Sequence, residues 1–206
     1  MRVFRGLLLL AGLTLGGVGT PVFAAPAGDW PCIQAKVPEL SLGAFWSGPP
    51  VDEAALKAWR ETPEIAALVA SVVSRRTPVE DAEKRVTDFA AARKDDKAGL
   101  TLVFAGAFAE LNGLRATLIN GIERFTRNQR QIAAQTNKDR AALQDILAAP
   151  EKTEQQRARI QELQTKIQWE TRLHAEREST LRYVCETPVL LEQRLFAIAR
   201  AIQNEM

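Results

Sequence analysis

The 206 residues include one histidine, and its neighbours make it worth a chemical test. Glu170, His174 and Glu178 stand four residues apart, so a helix would bring all three to one face. Two carboxylates and an imidazole in such a row could hold a divalent cation. A plainer reading competes with it. Charged helices contain such triplets by chance, and His174 falls in a line of apolar positions. On that reading Glu170, His174 and Arg177 form a hydrated polar layer in a coiled-coil seam, with Gln129 opposite them on a neighbouring helix. Polar seam residues are well attested as devices that fix register. We expect the polar layer, and no metal or other cofactor.

Cys32 and Cys185 are the remaining reactive pair, and the chain has no other cysteine. They form no Cys-x-x-Cys motif, and no strand-to-helix turn precedes either, so a thioredoxin-like site is not expected. In an oxidising compartment the pair reads as a structural disulfide. A regulatory or partner-linking role is the alternative. No glycine-rich phosphate loop, serine nucleophile elbow, zincin motif or haem-attachment motif is present. The expectation is a protein that is not an enzyme.

The elements that position these residues follow from the apolar spacing. From Phe104 to Ile146, and again from Ile160 to Ile202, apolar residues recur at alternating intervals of three and four. That is the pattern of a coiled-coil seam. Ala148, Ala149, Pro150 and Glu151 break it. We therefore expect an all-α fold built on one long antiparallel helical hairpin, about 100–147 and 151–203. A turn at Pro150 would set Thr136 against Ile167, Gln129 against His174, Ile122 against Leu181 and Phe108 against Leu195. Each arm would be roughly 70 Å long at about 1.5 Å per residue, longer than a compact domain of this size, so part must project. The seam is diluted by Gln129, Thr136 and Asp139 on one arm and by Glu170, His174 and Arg177 on the other. The projecting part should be the end near the turn.

Residues 52–98 should supply short helices packed on the open end. Thr62-Pro63-Glu64 and Thr77-Pro78-Val79-Glu80 are both helix-start signals. Gly106 and Gly113 would let a neighbouring helix approach the first arm. Thr187-Pro188 predicts a kink in the second. The apolar run from Leu100 is interrupted by Glu110, Asn112 and Arg115 before it reaches spanning length, so it reads as a buried helix.

Residues 25–51 are rich in proline and glycine yet carry Trp30, Phe45 and Trp46. Two roles fit: a strap folded over the base, with one helical turn at 31–37, or a segment whose aromatic residues bind a partner. Residues 1–24 read as a signal peptide. Arg2 and Arg5 precede an apolar run, and small residues end at Ala24. Cleavage there would deliver a periplasmic protein with no membrane span. Of 27 basic residues, Arg2 and Arg5 belong to this leader; the other 25 equal the 25 acidic residues. A neutral protein has no global field for nucleic acid, so none is expected as partner. The locally basic stretch of Arg115, Arg124, Arg127, Arg130, Lys138 and Arg140 is expected to pair with glutamates of the second arm.

The whole reads as one domain over 25–206: strap, short helices 52–98, and hairpin 99–206. The expected role is a non-enzymatic interaction or scaffold module of the cell envelope with an unidentified protein partner. The alternative is an accessory subunit or chaperone holding an apolar ligand or client in the base. Self-association is compatible with either.

Overall fold

The computed structural model describes residues 28–206, and the leader expected over residues 1–24 lies outside them. The described chain is all-α. One 3-10 turn, Leu42–Ala44, precedes five helices: α1 Ala55–Ala58, α2 Pro63–Val73, α3 Val79–Ala92, α4 Lys97–Ala148 and α5 Glu154–Asn204. Helices α4 and α5 form the expected hairpin. The short helices α1 to α3 pack against its open end.

Local chemistry explains the boundaries. Asp95 adopts a left-handed backbone (φ 62°), a conformation Asp tolerates better than most residues, and this separates α3 from α4. Asp96 then caps α4 by accepting from the Gly99 N–H at 2.7 Å. At the far end, α5 begins three residues later than the expected 151. Thr153 and Gln156 make a reciprocal capping box, with bonds of 2.8 and 3.2 Å. Pro150, Glu151 and Lys152 are therefore spent in the turn. Thr136 bonds Glu170 at 2.6 Å, one turn along from the expected Ile167, while Ile122 and Leu181 share a cluster and Gln129 and His174 a cleft, as the expected pairing places them. Pro188 is buried inside α5, and the helix continues through it from Glu154–Asn204.

The core sits in the base. Phe104, Val103, Val69, Val72, Val86 and Ile198 are wholly buried there, with Ile65, Leu111, Leu195 and Ile202 around them. Helix α4 carries a stretch long and apolar enough to cross a membrane, and half of that stretch is buried inside the protein. Gly106 is part of the reason. A Cβ there would meet Val69 Cγ2 at 2.7 Å and Trp59 Cδ2 at 2.8 Å. Gly113 has nothing within 4 Å, so of the two expected close approaches one exists. The pair gives an opposed prediction. Gly106→Ala should destabilise by about 1–2 kcal/mol, because overpacking exceeds the helix-propensity gain. Gly113→Ala should stabilise by up to about 1 kcal/mol. Urea midpoints moving in the same direction would contradict this account.

Two buried arginines fasten the base. Arg194 donates to the Val72 carbonyl at 2.9 Å and to the Thr77 carbonyl at 2.7 Å, tying α5 to the end of α2 and the loop that follows. Burial pushes its guanidinium pKa down, and Arg75 adds to that. Arg115 is 4% exposed; it donates to Glu192 at 2.6 Å and to the Val37 carbonyl.

Residues 28–50 run back along α4, antiparallel to it. Asp29 takes Arg127 and Arg130 at 2.9 and 2.8 Å. Lys36 pairs with Glu123 at 2.5 Å. The Leu40 N–H reaches Asn112 Oδ1 at 3.0 Å. Trp46 stacks on Phe104 with ring centroids 4.2 Å apart. The expected helical turn at 31–37 is absent, and the strap's one helical turn lies at Leu42–Ala44. The basic stretch of α4 is thus answered partly by the strap: of the expected glutamate pairings in the second arm, Arg115 makes one, while Arg127 and Arg130 go to Asp29.

Candidate functional site

The aromatic residues of the strap are engaged by the fold itself. Trp46 covers Phe104, Phe45 packs on the base core, and the Trp30 indole N–H donates to the Gln34 carbonyl at 2.7 Å. Trp30 also packs on a small cluster of Cys32, Ile122 and Cys185. Cys32 and Cys185 are joined, with Cα atoms 5.5 Å apart, across a separation of 153 residues. The bond fixes the start of the described strap to α5.

The strap reaches α4 only as far as Arg130. Past that point the two arms have each other. Their seam there is largely polar, because few large apolar residues occupy the inward positions. Leu163 is fully buried, and beside it lie Thr136 (5% exposed) and Asp139 (6% exposed). The Lys166 ammonium sits 2.7 Å from Asp139 and 3.9 Å from Glu170. Gln135 donates to Asp139 at 3.1 Å, and Thr136 donates to Glu170. These bonds satisfy charges that the seam would otherwise strand.

Closer to the strap the seam loosens. His174 and Gln129 line one cleft of about 180 Å³, together with Phe125, Thr126 and Leu181. Thr136, Arg140, Glu170 and Thr171 line another of about 150 Å³, which His174 also reaches. Arg177 and Gln129 line a third, more open one with Phe125 and Glu170. The four residues expected in the polar layer line these clefts, and none of the clefts takes in all four. Glu170 faces Thr136 and Lys166, while Glu178 shares a cleft with His174. Among the described residues no three His, Cys, Asp or Glu side chains group as metal ligands would.

The ionic layer has a pH signature. Lys166, by its hydrogen bond, holds the Asp139 carboxyl below the usual carboxylate range despite the opposing effect of burial. Asp139 in turn raises the Lys166 ammonium. A carboxylate depressed in the fold adds stability above its unfolded pKa of about 3.9, and that stability is lost as pH falls through the folded value. A raised lysine adds stability below about 10.4, lost as pH rises through its own folded value. Hydrogen exchange on acidification below about pH 4 should therefore show 131–147 losing protection ahead of 100–111. Lys166→Met should shift that loss to higher pH. Uniform loss across α4 would count against a separate layer.

Arg194 and the Asp139–Lys166 bond had no place in the sequence expectations; for Arg115 the pairing with a second-arm glutamate was expected, but its burial and its bond to the Val37 carbonyl were not. The spacing of Asp139 and Lys166 on facing arms was the one available signal. No family model, curated protein or solved structure matches the chain.

Proposed function

We propose that this chain is a non-enzymatic interaction module of the bacterial cell envelope, acting in the periplasm, whose free hairpin end contacts a protein partner. One observation carries the reading. Beyond Arg130 no described base helix or strap residue bonds to the hairpin, so both arms offer their outer faces there. A long hairpin anchored at one end by a packed core suits a reaching contact surface. The leader-like first 24 residues support the compartment, and the disulfide suits it. The alternative of a ligand or client held in the base finds less support. The space there is filled by Phe104, Leu111, Val69, Ile198 and their neighbours, and the clefts described lie along the hairpin or beside the disulfide.

The test shortens the tip. Replacing residues 137–168 by a short turn leaves the base, the strap and its contacts intact. Cross-linked capture from periplasm should identify a partner with the full protein, and purified components should then bind. The shortened protein should bind that partner at least about tenfold more weakly. Equal binding by a folded, shortened protein would overturn the reading.

A further inference from the structure

Four large apolar side chains of α5 are more than half exposed: Trp169 (62%), Tyr183 (70%), Leu190 (54%) and Phe196 (52%). Helical geometry places them together. Residues seven apart share a row on a coiled-coil helix. Trp169, Glu176, Tyr183 and Leu190 form one row. Ala175, Arg182, Val189 and Phe196 form another. The row between them is Arg172, Ser179 and Glu186. This face points away from the seam, which is lined by Leu163, Glu170, Leu181, Cys185, Leu191 and Leu195.

The charges on the face follow an order. Arg172, Glu176, Arg182 and Glu186 alternate in sign, with spacings symmetric about Ser179. All four are exposed, and none joins the ion pairs of α5, which fall to Arg157, Arg159, Lys166, Glu192 and Arg200. Such an order is complementary to its own reverse. A parallel copy in register would set like against like.

We propose that this outer face of α5 is a homodimer interface, in which a second copy of the chain packs antiparallel about a two-fold axis at Ser179. The two-fold brings Arg172 of each copy to Glu186 of the other, and Trp169 to Leu190. Ser179 meets its own equivalent, where a small side chain permits close approach. Glu176 lies level with the copy's Tyr183, whose phenol can donate to it. Phe196 falls level with the copy's residues 161 and 162. There Ala158, Gln161, Thr165 and Trp169 border an open trough on the same face, made by the small side chains at 158 and 165. Apolar ends, a charged middle and a small central residue are the features by which an antiparallel helix pair sets its register. The face runs about 40 Å along the helix, and an isologous contact repeats every pair. This inference goes beyond the proposed function and does not rest on it, because its readout needs no partner other than the chain.

Analytical ultracentrifugation of the mature protein tests it. The mass should rise to that of a dimer with concentration, by about 100 µM at most. Trp169→Ala should weaken the dimer at least about tenfold, with the helical circular dichroism retained. Arg172→Glu and Glu186→Arg should each weaken it, and the two together should restore it. Ser179→Cys should give a dimer on a non-reducing gel that reductant dissolves. A wild-type chain that stays monomeric overturns the proposal. So does a dimer indifferent to Trp169→Ala, or a charge-swapped double variant that folds but does not recover. A monomer that uses Trp169 to bind another protein would likewise overturn it. The tip-shortened protein keeps Trp169, Arg172 and Glu186 but loses the trough at 158–165, so the dimer is scored on point variants of the full chain and the partner on the shortened one, and the two results stay separate.

Discussion

Removing the disulfide, as Cys32→Ser with Cys185→Ser, should lower the unfolding free energy by about 3–4 kcal/mol. The closed loop spans 153 residues. In the chain-entropy model a loop of that size gives somewhat more than about 4.7 kcal/mol, and measured values run lower. The loss has a local component as well. The strap is otherwise held by exposed ion pairs such as Asp29 with Arg127 and Arg130, each of small individual worth. Without the tether, Trp46 should lift more readily from Phe104. Urea unfolding with and without reductant measures the first effect, and indole fluorescence below the main transition measures the second. A midpoint unchanged by reductant, with the thiols shown to be free, would refute the structural role.

Arg115→Met should be comparably severe, at about 3 kcal/mol, because it strands the acceptors the guanidinium serves. The side chain is 4% exposed and bridges three elements: its own helix α4, Glu192 of α5 and the Val37 carbonyl of the strap. Glu192 is about one-third exposed and can recover water, which keeps the loss at the low end of the range for broken buried pairs. Arg115→Lys should rescue little. One ammonium does not reproduce a planar fork that serves two acceptors. A double-mutant cycle with Glu192→Gln separates the ion pair from the bond to Val37, which the glutamine leaves in place. If Arg115→Met lost less than about 1 kcal/mol, the strap would have to be docked by its apolar residues alone.

The hairpin was legible because seam residues announce themselves through spacing. Phe104, Ile122, Leu163 and Leu195 lie where a three-four repeat puts them, and all four are buried. The start of α5 was also written in the chain, as Thr153 followed three residues later by Gln156, but the break at Pro150 drew attention to the wrong position. The turn stays centred on residue 151, so Ile122 still meets Leu181 and Gln129 still meets His174. The Arg115 pairing with a second-arm glutamate was legible, but its burial and the backbone bonds of Arg115 and Arg194 were not. Both bond backbone carbonyls, of Val37 and of Val72 and Thr77, and a carbonyl has no sequence signature. Arg115 looked like one more member of a solvated basic face. The polar layer of Gln129, Glu170, His174 and Arg177 was readable as a set, because those residues occupy inward positions. The Asp139–Lys166 bond was not, since Lys166 lies one position off the repeat and reaches in from the edge of the seam.

The backward course of the strap along α4 bears on the order in which the molecule assembles. Cys32 belongs to the first part of the described chain to be synthesised, and its partner Cys185 lies near the last. Until α5 exists, the strap has half of a docking surface and no bond to make. Contacts of such long sequence separation pay their loop-closure entropy before they return any stability. Docking of the strap should therefore be the final event, after the hairpin has closed. With two cysteines a single intramolecular pairing is available, so one oxidation step completes the molecule and no reshuffling is required. A chain trapped before that step would keep its helices while leaving Phe104 uncovered, and that is the form a folding helper would meet.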